Sequence, residues 1–148
     1  MPPALWTIRA VLDGDEAAVG QHRYDELASQ EDLDAYAQWL KGAIVRGSYI
    51  GLFAESRNEV IAGAGMLLLQ WGPTRGDSNP MRARIVNVWT RPDWRRNGIA
   101  TDLVQNLLAQ AEMIGIRTIG LASTPASEAL YRSLGFESYL AEMVRRRR

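Results

Sequence analysis

Apolar positions in the first third of the chain change from the two-residue spacing of strands to the three- and four-residue spacing of helices. Residues 5–11 predict a first strand, after which Asp13 is expected to cap a helix. Ser29 followed by Asp32 predicts a second capped helix, with Gly47 as its end. One strand and two helices therefore open the predicted fold.

Three β-rich segments follow the second helix. Residues 49–54 and 60–70 predict two strands, and the polar residues between them predict a hairpin turn. Gly63 and Gly65 interrupt the second of these strands, which indicates a β-bulge or a small-residue packing site. Residues 82–90 predict the fourth strand of the chain.

A strand–helix–strand unit comes next. Pro92 ends the fourth strand, residues 99–114 predict a long helix, and residues 118–122 predict a fifth strand. Such a crossover implies that the fourth and fifth strands pair in parallel. The helix is expected to bury one apolar stripe, formed by Leu103, Val104, Leu107, Leu108, Ala111 and Ile114.

The C-terminal part predicts one more helix and one more strand. Thr124 is expected to cap a short helix with Pro125 at its first position, and Gly135 to close it. Residues 136–144 predict a last strand. The whole pattern indicates one α/β domain over residues 1–148, with a mixed sheet and about four helices.

Composition excludes several kinds of chemistry. The 148 residues include no cysteine and one histidine, His22. Disulfides, thiolate metal sites, a cysteine nucleophile and a histidine metal cluster are therefore excluded, and we predict no metal. Lone histidines are usually surface or packing residues, and this is our interpretation of His22.

The charge balance bears on partners. The formal net charge is zero, but four basic residues form the terminal run 145–148, and without them acidic residues exceed basic ones by four. We interpret this run as a solvated, disordered tail, and the acidic body argues against nucleic-acid binding. Neither a secretory signal nor a membrane-length apolar run is evident, so we expect a cytoplasmic protein without membrane contact.

A loop before the long helix is suited to phosphate. It reads Arg95, Arg96, Asn97, Gly98, Ile99, Ala100. Free N–H groups at a helix start attract anions, small residues let a phosphate approach the backbone, and the arginines add positive charge. The residues alone therefore predict a phosphate or pyrophosphate cradle, although neither the P-loop nor the dinucleotide-binding pattern is present.

Two motifs resemble those of one family. The loop resembles the R-x-x-G-x-G/A signature of the GNAT superfamily of acetyl-CoA-dependent N-acetyltransferases, and it lies between a strand and a helix as in that family. Residues 129–136, ALYRSLGF, resemble the family's A-L-Y-x-x-L-G-F segment at the expected distance downstream. The resemblance implies an acetyl-CoA co-substrate and a fourth and fifth strand that splay around it.

The resemblance also implies which residues contact the co-substrate. The pantetheine arm would pair with the backbone of Val88, Trp89 and Thr90, and residues 95–100 would hold the pyrophosphate. Many family members have an asparagine that touches the cofactor shortly before the motif tyrosine. This chain has Ser123 and Thr124 in that region.

Tyr131 occupies the position of the family's tyrosine, which implies that its phenol protonates the departing thiolate. The fourth and fifth strands lack the glutamate that serves as general base in many members. The base could be a water wire, a carboxylate from another element, or unnecessary for a neutral amine. Asn87 is a candidate contact for the substrate.

The acceptor is the least constrained part of the hypothesis. Asp25, Glu26, Glu31, Asp32 and Asp34 could attract a cationic amine, but we favour their being solvated helix-surface carboxylates. The main hypothesis is an N-acetyltransferase that acts on a primary amine of a small molecule or peptide, with a homodimer also considered. The alternative is an acetyl-CoA-binding regulatory module without turnover.

Overall fold

The computed structural model describes residues 5–25 and 27–147 as one mixed sheet with helices on both faces. The strands and helices follow one another as predicted as far as the short helix near the C-terminus. Their bounds are β1 (Thr7–Ala10), α1 (Glu16–Tyr24), α2 (Gln30–Arg46), β2 (Tyr49–Ser56), β3 (Glu59–Gln70), β4 (Met81–Thr90), a 3-10 turn (Pro92–Trp94), α3 (Ile99–Met113), β5 (Ile119–Gly120) and α4 (Glu128–Ser133).

The five strands lie in the order in which they occur in the chain. The first four are antiparallel to their neighbours, and β4 and β5 are parallel, which confirms the predicted mixed sheet. β5 pairs with β4 only through Ala83 with Ile119 and Arg84 with Gly120. Beyond these pairs the two strands separate, so residues 85–90 of β4 have no strand neighbour on that side.

Two apolar clusters cover the two faces of the sheet. α1 and α2 pack on one face around Val19, Leu40 and Phe53. α3 packs on the other face, where Leu103 and Leu107 are fully buried. Val104 and Ala111 are buried as well, and Leu108 is half-buried, so most of the predicted stripe is confirmed.

The last position of that stripe was wrong. Ile114 is 52% exposed because α3 ends at Met113 and Gly115 turns the chain with a φ of 82°. No helix in the described parts of the chain is long and apolar enough to cross a membrane.

The predicted N-terminal capping residue is confirmed for α2 but is wrong for α1 and α4. Ser29 and Asp32 form the predicted capping box, and Gly47 ends α2 in the left-handed conformation. Asp13 does not cap α1, because Gly14 turns the chain at a φ of 104° and the helix begins only after Asp15.

Thr124 was a wrong cap as well. Residues 124–127 form a hydrogen-bonded turn that includes Pro125, so that Ser127 is the residue that precedes α4. Gly135 follows the helix with a φ of 94°, as a closing glycine should.

The strand predicted for residues 136–144 is absent. Within the described residues after α4, the backbone forms no strand, and Leu140 and Met143 are 93% and 96% exposed. The strand prediction was wrong: the apolar residues of this segment do not alternate with polar ones as in a half-buried strand. The neighbouring β5 is also only two residues long, so it offers little edge for pairing.

Candidate active site

A cleft of about 490 Å³ opens where β4 and β5 separate, and we call it the β4–β5 cleft. Its walls come from α1, β4, the first turn of α3, the segment after β5, and α4. The residues that line it are His22, Arg23, Tyr24, Ile85, Val86, Asn87, Val88, Ala100, Ala122, Thr124, Ser127, Leu130 and Tyr131.

A β-bulge in β4 shapes the middle of the cleft. β4 pairs Val86 with Gly65 and Trp89 with Gly63, so that two residues of β4, Asn87 and Val88, lie opposite one residue of β3. Asn87 adopts a φ of 58° at this point. The register does shift at the glycines, but the extra residue belongs to β4 and not to β3, the strand in which the glycines had suggested a bulge.

The side chain of Asn87 joins three neighbours. Its Nδ2 donates hydrogen bonds to the phenol oxygens of Tyr36 at 2.7 Å and Tyr49 at 3.2 Å, and its Oδ1 accepts one from Arg23 at 3.1 Å. Gly65 makes room for this network, because a side chain there would overlap the phenol of Tyr49. The other interpretation, that Gly65 is a small-residue packing site, is confirmed.

His22 packs inside the wall of the cleft. Its imidazole stacks on the indole of Trp89 with centroids 4.2 Å apart, and it meets the ring of Phe53 edge-on at 5.4 Å. Gly63 permits this placement, since a Cβ there would lie 2.8 Å from the His22 Nδ1. Burial lowers the pKa of His22 to about 4, so the ring is neutral at physiological pH.

Tyr131 closes the opposite wall. It lies on α4, is 7% exposed, and packs edge-on against Phe136 with ring centroids 5.9 Å apart. Burial raises the pKa of its phenol above the usual value. Among the described residues its hydroxyl has no hydrogen-bond partner, and its side chain lines the cleft.

The loop before α3 leaves the start of the helix open. Gly98 precedes the helix with a φ of 82°, and no described side chain caps the first N–H groups. A Cβ placed on Gly98 would meet no atom within 4 Å. Arg95 donates from Nε to the carbonyl of Thr90 at 3.1 Å, which ties the loop to the end of β4. Unpaired N–H groups facing open space can bind an anion.

The residues predicted for the site occupy connected positions. The cleft is lined by Asn87, Val88, Ala100, Thr124 and Tyr131, and Ile99 is buried beside it in the first turn of α3. The backbone of Trp89 and Thr90 continues the open edge of β4, although the Trp89 ring lies against His22 on the other face. The loop residues that lie between that edge and α3 are Arg95, Arg96, Asn97 and Gly98.

Ser123 does not line the β4–β5 cleft. It lines a second cavity of about 580 Å³, whose lining also includes Trp71 and Leu140. Tyr131 contributes to both cavities. Ser123 and Thr124 thus line two adjoining cavities, and the contact of both residues with the co-substrate stays a prediction.

Carboxylates do not line the described walls of the cleft. Asp32 caps α2, Asp34 accepts a hydrogen bond from Gln30, and Asp25 is exposed at the end of α1. Glu26 lies outside the described residues. Among the residues that the structure describes, no group of three metal-ligating side chains comes together.

Sequence reasoning missed the contribution of α1. His22, Arg23 and Tyr24, which form its last turn, all line the cleft. The interpretation of His22 as a packing residue agrees with its stacked ring, but its place in the wall was not foreseen. No local pattern marks these residues, because they reach the cleft only through the packing of α1 against β4.

Comparison with known proteins matches this chain to one protein family. The family model described as acetyltransferase (GNAT) matches residues 15–136. The ribosomal protein bS18-alanine N-acetyltransferase of Escherichia coli K12 is 39% identical over 57 residues, which make up 36% of this chain and 38% of that enzyme. The matched segment is thus less than half the length of the curated relative.

Two solved structures share the fold over almost the whole chain. A predicted acetyltransferase with acetyl-CoA from Clostridium acetobutylicum has a TM-score of 0.89 and 20% identity, over 95% of this chain and 96% of the other. A GCN5-related N-acetyltransferase from Ralstonia eutropha has a TM-score of 0.86 and 25% identity, over 95% and 97%.

Proposed function

Because this chain belongs to the acetyltransferase (GNAT) family, we propose that it transfers the acetyl group of acetyl-CoA to a primary amine of a small molecule or peptide. The observation that carries the proposal is the β4–β5 cleft itself. There a protonated phenol, Tyr131, faces a strand edge that lacks a strand partner.

The open edge and the loop suit the two ends of acetyl-CoA. In this proposal the pantetheine arm pairs with the backbone of Val88, Trp89 and Thr90, where β4 has no neighbour on the β5 side. The pyrophosphate lies against residues 95–100, next to the uncapped first turn of α3. The open space around Gly98 supports this arrangement.

The chemistry needs one proton donor. The amine nitrogen attacks the thioester carbon, a C–N bond forms, and the C–S bond breaks as the electron pair leaves on sulfur. Tyr131 gives its proton to that sulfur, because a thiol leaves more readily than a bare thiolate. The acceptor ammonium loses one proton to solvent before the attack, since the described walls of the cleft offer no carboxylate. The second proton, which the nitrogen loses after the attack, returns through water to the Tyr131 phenolate, so the net release is one proton.

An assay of CoA release tests the proposal. The chain has no cysteine, so a thiol reagent detects only the CoA that is set free. We expect release from acetyl-CoA that depends on an added primary amine and yields an equal amount of acetylated amine by mass spectrometry. Tight binding of acetyl-CoA without turnover on a broad amine panel would favour the alternative, a regulatory module. A cytoplasmic location and a homodimer stay predictions.

A further inference from the structure

The β4–β5 cleft carries a positive charge on the wall formed by α1, which we call its acceptor side. Among the described residues that line it, Arg23 alone is charged at neutral pH, because His22 is neutral and no acidic side chain is present. Arg23 stands at the end of α1, on the same face of the sheet as the side chain of Asn87.

Arg23 is exposed at the mouth of the cleft, but its guanidinium contacts three neighbours. Its Nη1 donates to Asn87 Oδ1 at 3.1 Å, and its guanidinium lies 4.8 Å from the ring centroid of Tyr36 and 5.7 Å from that of Tyr24. Asn87 is fixed in turn by its hydrogen bond to Tyr36. A network that reaches from α1 through the bulge to α2 therefore orients this one cation.

The held guanidinium has unused donors. Arginine carries five N–H groups in a planar fork, and the contact with Asn87 uses one of them. No described carboxylate forms a salt bridge with Arg23, which distinguishes it from Arg9, Arg91 and Arg132. A planar fork with free donors matches the two oxygens of a carboxylate.

We propose, resting on the acetyltransferase function proposed above, that the acceptor is an amino-acid-type molecule whose carboxylate is bound by Arg23 while its amine faces the thioester. A single guanidinium balances a single negative charge, which favours a carboxylate over a phosphate dianion. Polycationic amines are poor acceptors, since they meet a like charge at the same place.

Matched pairs of acceptors test this site. L-phenylalanine and L-leucine are compared with their carboxamides, which keep the side chain and the amine but lose the negative charge; spermidine serves as a polycation. The measured quantity is the ratio of kcat/KM for acid over amide. We expect this ratio to fall about tenfold or more in Arg23→Gln, a size typical of a charge-assisted hydrogen bond.

Two further variants separate charge from structure. Arg46→Gln removes an exposed arginine of α2 that lines neither cavity, so its ratio should equal that of the wild type. Arg23→Lys restores the charge without the fork and should recover part of the preference. Because each ratio compares two acceptors with one protein, differences in folded fraction and in the intrinsic pKa of the amines cancel between variants.

The outcomes distinguish this proposal from the function on which it rests. An unchanged ratio in Arg23→Gln, or a wild-type preference for spermidine, would overturn the carboxylate site even though acetyl transfer occurs. If no amine is acetylated, the acetyltransferase proposal fails, and calorimetry with L-phenylalanine and its amide in the presence of CoA decides the site. Arg23-dependent selectivity in binding would support it, and equal or undetectable binding would overturn it.

Discussion

Two ring side chains in the β4–β5 cleft owe their protonation states to burial. The phenol of Tyr131 keeps its proton to higher pH than a free tyrosine, because burial disfavours its charged form. The imidazole of His22 loses its proton at lower pH for the same reason. At neutral pH the cleft therefore contains a proton donor on one wall and an uncharged ring on the other.

Tyr131→Phe removes the phenol oxygen and keeps the ring. If Tyr131 protonates the departing sulfur, kcat should fall about 100-fold while the affinity for acetyl-CoA stays almost unchanged, because the proton is needed in the transition state rather than in binding. In the wild type the decline in rate at alkaline pH should begin at higher pH than for an ordinary tyrosine, because burial raises the pKa of the phenol.

Tyr139→Phe is the matched control, since Tyr139 is 74% exposed and lies outside the cleft. Steady-state kinetics with the amine acceptor and calorimetry with acetyl-CoA give the two quantities. Equal kcat values for Tyr131→Phe and wild type would remove the phenol from the chemistry.

His22 should make the protein sensitive to mild acid. Its pKa is about 4 in the folded chain and about 6.5 in the unfolded chain, so the unfolded state binds the extra proton in between. The stabilising contribution is complete above pH 6.5 and is lost as the pH falls toward 4. The loss is at most about 3 kcal/mol, and less because the ring is partly solvated.

Urea unfolding at pH 7.5 and pH 4.5 measures this loss. His22→Gln cannot titrate in that range, so its free energy of unfolding should change less between the two pH values than that of the wild type. The same change in both proteins would mean that carboxylates elsewhere cause the acid sensitivity.

Both Tyr131 and Arg23 line the cleft, but the sequence predicted a place in the site only for Tyr131. Tyr131 lies in a segment of eight consecutive residues that resembles a family motif, and its proposed role comes from that resemblance. Arg23 reaches the cleft because α1 packs against β4 and because Asn87 turns at the bulge. Such contacts between distant parts of the chain leave no periodic or local signal.

Among the elements, the start of α3 offers the sharpest test of cofactor binding. Gly98→Trp would fill the open space in front of the first N–H groups of the helix, so we expect at least tenfold weaker binding of acetyl-CoA by calorimetry. Gly76→Trp is the matched control. Gly76 has a φ of 84°, close to the 82° of Gly98, and it also faces open space, but it lies in the loop before β4.

Both variants place a tryptophan at a similar positive φ, so a loss of affinity confined to Gly98→Trp reports on the ligand site. Equal affinities in folded Gly98→Trp and Gly76→Trp would exclude the loop at residues 95–100 from the binding site.

Helices and hairpins that depend mainly on their own residues were predicted well. The C-terminal strand, whose formation depends on a neighbouring strand, was not. α3 and the β2–β3 hairpin follow from apolar spacing and turn residues, and their burial agrees with it. The strand expected at residues 136–144 lacks a regular two-residue apolar spacing, and it would also need an edge that β5 is too short to supply. Residue propensity is a property of one segment, whereas a strand also needs a neighbouring strand with which to form hydrogen bonds.

At the scale of the whole molecule, the two faces of the sheet have different tasks in the proposed reaction. α1 and α2 bring Arg23, His22 and Tyr36 to the acceptor side of the cleft. α3 and α4 bring the open helix start and Tyr131 to the side proposed for acetyl-CoA. The bulge at Asn87 joins the two sides, because its side chain is tied to the first group while Val88 packs with the second.

The narrow junction between β4 and β5 also sets how the molecule fluctuates. Two residue pairs connect β5 to the rest of the sheet, so β5 and α4 should open as a unit of lower stability than the hairpin of β2 and β3. In amide hydrogen–deuterium exchange, residues 119–135 should exchange earlier than residues 49–70, along with those β4 amides at 85–90 that point toward β5.

Acetyl-CoA bound along this edge would act as the missing strand, so it should slow exchange on both sides of the cleft and leave the hairpin unchanged. Full protection of residues 119–135 without ligand would mean that the two pairs hold the junction by themselves. Slow exchange only with ligand would mean that β5 and α4 are held stably against the rest of the sheet only while the co-substrate is bound.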